Sequence, residues 1–190
     1  MLGQTPSQTV GPFFAFGLIR GDEHDLVSDL TQGQRIVVHG HVLDGGGSAI
    51  DDAMVEIWQA DAAGIYNHPD DPRAGQVDKH FRGFGRVGTG NREREYRFRT
   101  IKPGQVPWEG VAQAPHLNLR VFARGMLVHV NTRVYFSDEE ANAHDPVLRS
   151  IADPARRQTV IAVRETIQDA PTYRLDIHLQ GDRETVFFSP

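Results

Sequence analysis

Short runs of alternating apolar and polar residues, separated by turn residues, recur along almost the whole chain. An alternation with a period of two places one side of each run toward a core and the other toward solvent, which is typical of β-strands. The runs occupy residues 35–44, 53–61, 94–102, 115–123, 126–136, 158–166, 172–181 and 185–188. We therefore predict an all-β chain that folds as an antiparallel β-sandwich.

Three segments depart from this alternation. Residues 64–86 combine glycine, proline and charge with no steady period, which predicts a long loop. The sequence GFGRVGTG at residues 83–90 follows no clear strand and opens no helix, so we interpret it as a turn between strands rather than a phosphate-binding loop. Ser137 stands three positions before Glu140, and this spacing predicts the start of a short helix.

The first 20 residues have the composition of an extended arm. They are rich in proline, glycine and threonine, yet they carry Phe13, Phe14 and Phe16. Three aromatic side chains on an arm need a surface that covers them. We therefore predict that residues 1–20 pack on a partner chain, and that residues 1–190 form a single domain, which the length allows.

The composition argues against several classes of function. A net charge of -5, with lysine and arginine scattered among acidic residues, argues against a nucleic-acid or anionic-membrane partner. The absence of cysteine excludes disulfides, thiolate metal sites and a cysteine nucleophile. Because the sequence has neither a leader-like start nor an apolar run of membrane-spanning length, we predict a soluble cytoplasmic protein.

Two strands offer imidazoles for a possible metal site. His116 shares a strand face with Asn118 and Arg120, and a single histidine of this kind is more often structural than a ligand. His39 and His41 share a face of another strand, where they could bind zinc, copper or iron with a third ligand, although we favour a structural role. The remaining histidines are dispersed: His24, His68, His80, His129, His144 and His178. With no catalytic triad or carboxylate pair recognisable either, the residues alone identify no active site.

Several separated motifs resemble those of the intradiol ring-cleaving dioxygenases. They include VEIWQADAAGIY (55–66), YRFRTIKPGQVPW (96–108), APHLNLRVFARG (114–125) and TRVYFSDEEANAHDPVL (132–148), in the order and spacing of the family. The resemblance implies a β-sandwich of the intradiol dioxygenase type with long loops and short helices. It also implies an enzyme of two homologous chains, alpha and beta, in which the beta chain holds Fe(III) through two tyrosinates and two histidines.

The resemblance places the iron-ligand positions of the family at residues that have mostly lost their donors. The first tyrosine position counts to Arg73, and the second is Val106 in KPGQVPW. The histidine pair corresponds to His116 and Asn118, whereas Tyr66 matches a tyrosine of both chain types and is taken as structural. Ferric iron requires anionic oxygen donors with imidazole nitrogen, and one imidazole cannot hold it. We predict that this chain binds no metal and has no catalytic residue of its own.

The function implied by the resemblance is that of a non-catalytic alpha subunit. Its beta partner would insert both atoms of O2 into protocatechuate to give 3-carboxy-cis,cis-muconate, a step of the β-ketoadipate route, and alpha–beta pairs would form larger assemblies. Thr9, Gly11, Pro12 and Arg124 match positions that approach the partner's pocket. We expect Arg124 to attract the anionic substrate, and the alternative is a hairpin arginine paired to a carboxylate.

Two other functions stay open at this point. The chain could be an independently active dioxygenase with displaced iron ligands, such as Tyr66, His68 and His116. It could also be a non-enzymatic β-sandwich binding module, because this architecture serves many unrelated functions. Iron bound by the chain alone would favour the first alternative, and the lack of a homologous beta partner would favour the second.

Overall fold

The computed structural model describes residues 3, 5–11, 14–165 and 170–189. The strands in this range are β1 (Arg35–Leu43), β2 (Met54–Trp58), β3 (Phe84–Gly88), β4 (Glu95–Ile101), β5 (Val106–Trp108), β6 (Val111–Gln113), β7 (His116–Phe122), β8 (Val130–Phe136), β9 (Ile161–Glu165), β10 (Thr172–Arg174) and β11 (Ile177–His178). Three short α-helices are α1 (Phe14–Leu18), α2 (Pro146–Ser150) and α3 (Pro154–Gln158), and 3-10 helices span Ala74–Gln76 and Glu140–His144. The prediction of a β-rich chain with short helices is confirmed.

Most of the described strands form one nine-stranded mixed sheet, and β5 pairs with β6 in a separate two-stranded sheet. The order is β11-β1-β10-β9-β8-β7-β2-β3, with β4 also paired to β1. β1 pairs in parallel with β10 and β11, and β8 pairs in parallel with β9. The expectation of a wholly antiparallel arrangement is wrong at these three pairings. Side-chain alternation specifies which face of a strand is buried, but it carries no information about the direction of the neighbour.

The core lies between strands that are distant in the sequence. Val38 of β1, Phe98 of β4, Leu117 and Val121 of β7, and Val134 of β8 are completely buried and belong to one hydrophobic cluster. Each such side chain contributes roughly 1.5–3 kcal/mol through its burial. On β7 the odd-numbered apolar residues face this core, which leaves the even-numbered polar residues for the opposite side of the strand.

The segment at residues 83–90 contains a strand, so its interpretation as a turn is wrong. β3 pairs antiparallel with β2, with Val55 opposite Val87. The glycines of β3 interrupt the alternation of apolar and polar side chains. They occur where another part of the chain comes close to the strand. A Cβ atom at Gly85 would lie 2.5 Å from the Glu23 carbonyl oxygen. The strand expected at residues 185–188 is likewise absent, except for one bridge between Phe188 and Asn131.

The predicted helix is present just after Ser137, with a different N-cap. The 3-10 helix Glu140–His144 is capped by Glu139, whose carboxylate accepts a hydrogen bond from the Ala141 N–H. Ser137 instead accepts one from the Arg164 N–H with its hydroxyl. The long loop is present up to β3, and its only described helix is the single 3-10 turn Ala74–Gln76.

The N-terminal residues 5–11 form neither helix nor strand, and residues 5–9 are exposed. Phe13 lies outside the described residues, and Phe14 and Phe16 belong to α1, so the expectation of an extended arm is wrong at Phe14–Leu18. The packing of this segment on a partner chain stays a prediction. Among the described helices, none is long and apolar enough to cross a membrane.

Candidate functional site

One cavity collects the four positions at which the sequence predicted lost iron ligands. Arg73 from the long loop, Val106 from β5, and His116 and Asn118 from β7 all line this cavity of about 1030 Å³. We call it the β7 cavity. His116 and Asn118 belong to the even-numbered face of β7, opposite the side chains that fill the core. The structure therefore brings together residues that are separated by up to 45 positions in the sequence.

His116 is held in the β7 cavity as a neutral imidazole. The residue is only 3% exposed, and its Nδ1–H donates a hydrogen bond to the Ala114 carbonyl oxygen at 2.8 Å. This bond leaves Nε2 as the hydrogen-bond acceptor of the ring. Burial lowers the pKa of His116 to about 4, and the positive charge of Arg133 acts in the same direction. At neutral pH the ring carries no charge.

Asn118 is bonded to Tyr66, and the phenol of Tyr66 is neutral. The amide nitrogen of Asn118 donates to the Tyr66 hydroxyl at 3.2 Å and to the Trp58 carbonyl oxygen at 3.3 Å. The Tyr66 ring stacks on Trp58 with 5.7 Å between ring centroids. Burial raises the pKa of Tyr66, although the hydrogen bond from Asn118 opposes this effect. The stacking and the hydrogen bond hold the Tyr66 ring in the wall of the β7 cavity.

Arg73 and Val106 provide no electron pair for a metal ion. The Arg73 Nε and Nη2 atoms donate to the two oxygens of Asp71, each at 3.2 Å, and Nη2 also donates to the Gly64 carbonyl oxygen at 2.7 Å. Desolvation opposes ionisation of Asp71, but hydrogen bonds from the Arg73 and Tyr66 N–H groups hold the pKa of this carboxyl below its usual range. Val106 contributes hydrocarbon only.

The donor set of the β7 cavity does not fit ferric iron. His116 is the one imidazole among the four predicted positions, and a hard trivalent cation needs anionic oxygen as well. The displaced set of Tyr66, His68 and His116 fits no better, because His116 is buried whereas His68 is half-exposed, and the Tyr66 hydroxyl is already bonded to Asn118. Within the described residues, no group of three or more histidine, aspartate or glutamate side chains could hold a metal ion.

His39 and His41 bind separate carboxylates. The two ring nitrogens of His39 lie 3.1 Å from Glu95 and 3.0 Å from Glu165, and His41 Nδ1 lies 3.2 Å from Asp176. These contacts agree with the structural role that we favoured over a metal pair. Between the two histidines stands Gly40, where a Cβ atom would come within 1.8 Å of the Leu175 carbonyl oxygen.

Sequence reasoning did not single out Arg133 and Tyr135 of β8 or Asp145, the N-cap residue of α2, which together support the β7 cavity. Arg133 Nη1 donates to the Tyr135 hydroxyl at 3.1 Å, and that hydroxyl donates to Asp145 at 3.1 Å. Asp145 also accepts from the Ala114 N–H at 2.8 Å, so the network reaches the residue that orients His116. Two features of the sequence could have pointed to these residues. Arg133 and Tyr135 are polar residues spaced by two on one strand, and Asp145 stands directly before the proline that begins a helix.

Among the predicted partner-facing residues, the described ones, Thr9, Gly11 and Arg124, do not line the β7 cavity. The Thr9 hydroxyl accepts a hydrogen bond from the Gly125 N–H at 2.9 Å, which joins the N-terminal segment to the turn after β7. Gly11 lines a second cavity, of about 870 Å³. Pro12 lies outside the described residues. Their roles toward a partner chain stay predictions.

Arg124 lines the second cavity together with Gly11 and forms an ion pair with Asp52. Its Nε lies 3.0 Å from the Asp52 carboxylate, and its side chain is 77% exposed. The pairing matches the alternative of a hairpin arginine bound to a carboxylate. Because an exposed ion pair is worth about 0–1 kcal/mol, the pair leaves Arg124 able to interact with other groups.

Comparison with known proteins identifies the class of the chain. Residues 10–181 match the family model described as Dioxygenase. The chain belongs to this family. A solved dioxygenase domain from Streptomyces sp. SirexAA-E, part of a carbohydrate-binding fusion, has the same fold, with a TM-score of 0.63 and 24% identity over 94% of this chain and 99% of that chain.

Three relatives of known subunit type narrow the comparison to one kind of subunit. The protocatechuate 3,4-dioxygenase alpha chain of Pseudomonas putida is 42% identical over 99% of this chain and 97% of its own length. That of Burkholderia cepacia is 44% identical over 98% of both chains. The protocatechuate 3,4-dioxygenase beta chain of Burkholderia cepacia is 35% identical over 84% of this chain and 72% of its own length. The similarity to alpha chains is thus both higher and more complete.

Proposed function

We propose that this chain is the alpha subunit of a protocatechuate 3,4-dioxygenase, inactive alone and required to complete the active site of a beta subunit. One observation carries the proposal: the ligand positions of the family meet around the β7 cavity, and only His116 among them offers a suitable donor. Similarity to alpha chains over the full length supports the same role. The homology to a beta chain supports a partner of the same fold.

The complex inserts both atoms of O2 into protocatechuate and releases 3-carboxy-cis,cis-muconate. Fe(III), held by the beta subunit, supplies the oxidative chemistry, and this chain supplies part of the pocket wall and of the electrostatic field. Residues 1–190 act as one domain whose N-terminal arm packs on the partner, and alpha–beta pairs associate into a larger cytoplasmic assembly. The exposure of residues 5–9 supports a contact of this arm with another chain.

Arg124 is the residue of this chain that we assign to the anionic substrate. It shares the second cavity with Gly11, and Thr9 is hydrogen-bonded to Gly125, so the N-terminal segment and the Arg124 turn form one surface. A guanidinium at the rim of a partner's pocket raises the local concentration of a carboxylate substrate and makes the rate depend on salt. Gly11 and Pro12 complete the wall.

Co-expression with the candidate beta chain tests the proposal. We expect iron and ring cleavage in the complex, and neither in this chain alone. In the complex, Arg124→Ala should lower kcat/KM by roughly tenfold at low salt, with a smaller loss at high salt. Arg183→Ala is the matched control, since Arg183 is exposed and lines neither cavity, and it should change nothing. Unchanged kcat/KM and salt dependence in Arg124→Ala would remove the role of Arg124, whereas ring cleavage by the isolated chain would overturn the subunit assignment.

A further inference from the structure

Two of the three acidic side chains that line the β7 cavity are paired with arginines, Glu56 with Arg86 at 2.7 Å and Asp71 with Arg73 at 3.2 Å. The third, Asp70, has a carboxylate that is 92% exposed to solvent, and its backbone N–H donates to His68 Nδ1 at 3.2 Å. Arg133 lines the same cavity and has no carboxylate contact within the described residues. Its Nη1 donates to two neutral oxygens, the Tyr135 hydroxyl at 3.1 Å and Gln113 Oε1 at 3.5 Å. The cavity therefore carries a positive charge that no acidic group in direct contact balances.

Arg133 is placed to receive an anion. The residue is half-buried, and holding a guanidinium away from water without a counter-charge costs free energy. The bonds of Nη1 and the Phe188 ring, whose centroid lies 5.8 Å from the Arg133 Cζ, fix the guanidinium in one orientation. A fixed guanidinium presents parallel N–H donors, and these match the two oxygens of a planar carboxylate.

The walls of the β7 cavity favour an aromatic ligand. Both tryptophans of the chain line it, Trp58 and Trp108, and Tyr66 stacks on Trp58. Phe84 and Phe188 add two further rings. Apolar walls with a few fixed polar groups are typical of sites for small organic molecules. The neutral imidazole of His116 adds a hydrogen-bond acceptor but no second charge.

We propose that the β7 cavity of this chain binds a small aromatic carboxylate, with the carboxylate on Arg133 and the ring among Trp58, Tyr66 and Trp108. This site needs no iron and lies in this chain, so it is separate from the pocket that the proposed function assigns to the beta subunit. In this proposal, a cavity that lacks the metal donors of the family serves as a binding site for an organic anion.

Isothermal titration of the purified full-length chain with benzoate tests this site, with tryptophan fluorescence as a second readout. We expect one benzoate per chain without iron. Arg133→Gln should bind benzoate about 10- to 100-fold more weakly, the loss expected for a charge-assisted contact. Arg120→Gln is the matched control, because Arg120 lines the same cavity but is exposed and bonded to Asn131. An equal loss in both variants would show general electrostatic attraction and would overturn the site.

Ligand analogues give a test that needs no variant. Benzyl alcohol keeps the ring and removes the charge, and we expect at least tenfold weaker binding than benzoate. Inorganic phosphate keeps the charge and removes the ring, and it should not displace benzoate at equal concentration. Equal binding of benzyl alcohol would contradict the role of Arg133, equal competition by phosphate would contradict the aromatic class, and no benzoate binding at all would refute the site.

Discussion

Asp145 offers the sharpest test of the network behind the β7 cavity. The residue is completely buried, and one carboxylate oxygen accepts from the Val147 N–H, the Leu148 N–H and the Tyr135 hydroxyl at 2.8–3.1 Å. The other oxygen accepts from the Ala114 N–H at 2.8 Å. Asp145→Asn keeps the shape but turns one acceptor into a donor. If the amide oxygen keeps the contacts with Val147, Leu148 and Tyr135, the amide NH2 group faces the Ala114 N–H. That N–H then remains buried without an acceptor.

The expected cost follows from these contacts. A hydrogen bond to a charged group contributes about 1.5–3 kcal/mol, and a buried donor without a partner costs about 1–3 kcal/mol. Because these two figures describe partly the same loss, we expect Asp145→Asn to lower the free energy of unfolding by about 3 kcal/mol. For a chain of this size each kcal/mol shifts the Tm by roughly 2–4 °C, which gives a decrease of about 6–12 °C.

Differential scanning calorimetry measures this shift, and Asp153→Asn is its control. Asp153 is also the N-cap of a proline-started helix and accepts from the Ala155 N–H at 2.8 Å, but it is exposed. Asparagine is as good an N-cap as aspartate, so this variant should cost under about 1 kcal/mol. Equal Tm shifts for the two variants would refute the reasoning, because they would show that burial and the Ala114 contact contribute nothing.

Two further predictions concern packing and pH. Gly40→Ala forces a Cβ against the Leu175 carbonyl oxygen and should destabilise the fold by about 3 kcal/mol, whereas Gly75→Ala, with open space around it, should be neutral in urea unfolding. The pKa of His116 is about 4 in the folded chain and about 6.5 when unfolded, so the unfolded state binds more protons between these values and stability falls as the pH drops. From pH 7 to 4.5 the wild type should lose about 2 kcal/mol more than His116→Gln in the same assay, and parallel losses would contradict the buried neutral imidazole.

β7 and β3 show what alternation can predict and what it cannot. On β7 each odd position is apolar, and the structure buries Leu117, Leu119 and Val121 as expected. On β3 two of the five residues are glycine: the Glu23 carbonyl oxygen leaves no room for a side chain at Gly85, and the Ile19 side chain packs against Gly88. The alternation of side-chain polarity cannot predict a strand at positions that glycine occupies. The parallel pairings could not be predicted from this alternation either, because they depend on how strands that are distant in the sequence pair with one another.

Only part of the candidate site could be predicted from the sequence. Val106 and Arg73 carry no chemical sign of a ligand position, and only the resemblance to a family assigned them to one place. Arg133 and Asp145 were missed because a guanidinium on a strand and an aspartate before a helix each have an ordinary structural explanation. Their importance arises from burial and from contacts across the fold, which no local pattern records.

The iron content of the purified chain, with and without the beta subunit, tests the central claim most directly. Both samples would come from iron-supplemented cells and be measured by elemental analysis and visible absorption. Our account predicts a colourless isolated chain with far less than one iron per molecule, and one iron per alpha–beta pair in an active complex. One ferric ion bound to the isolated chain, with tyrosinate-to-iron absorption, would contradict it.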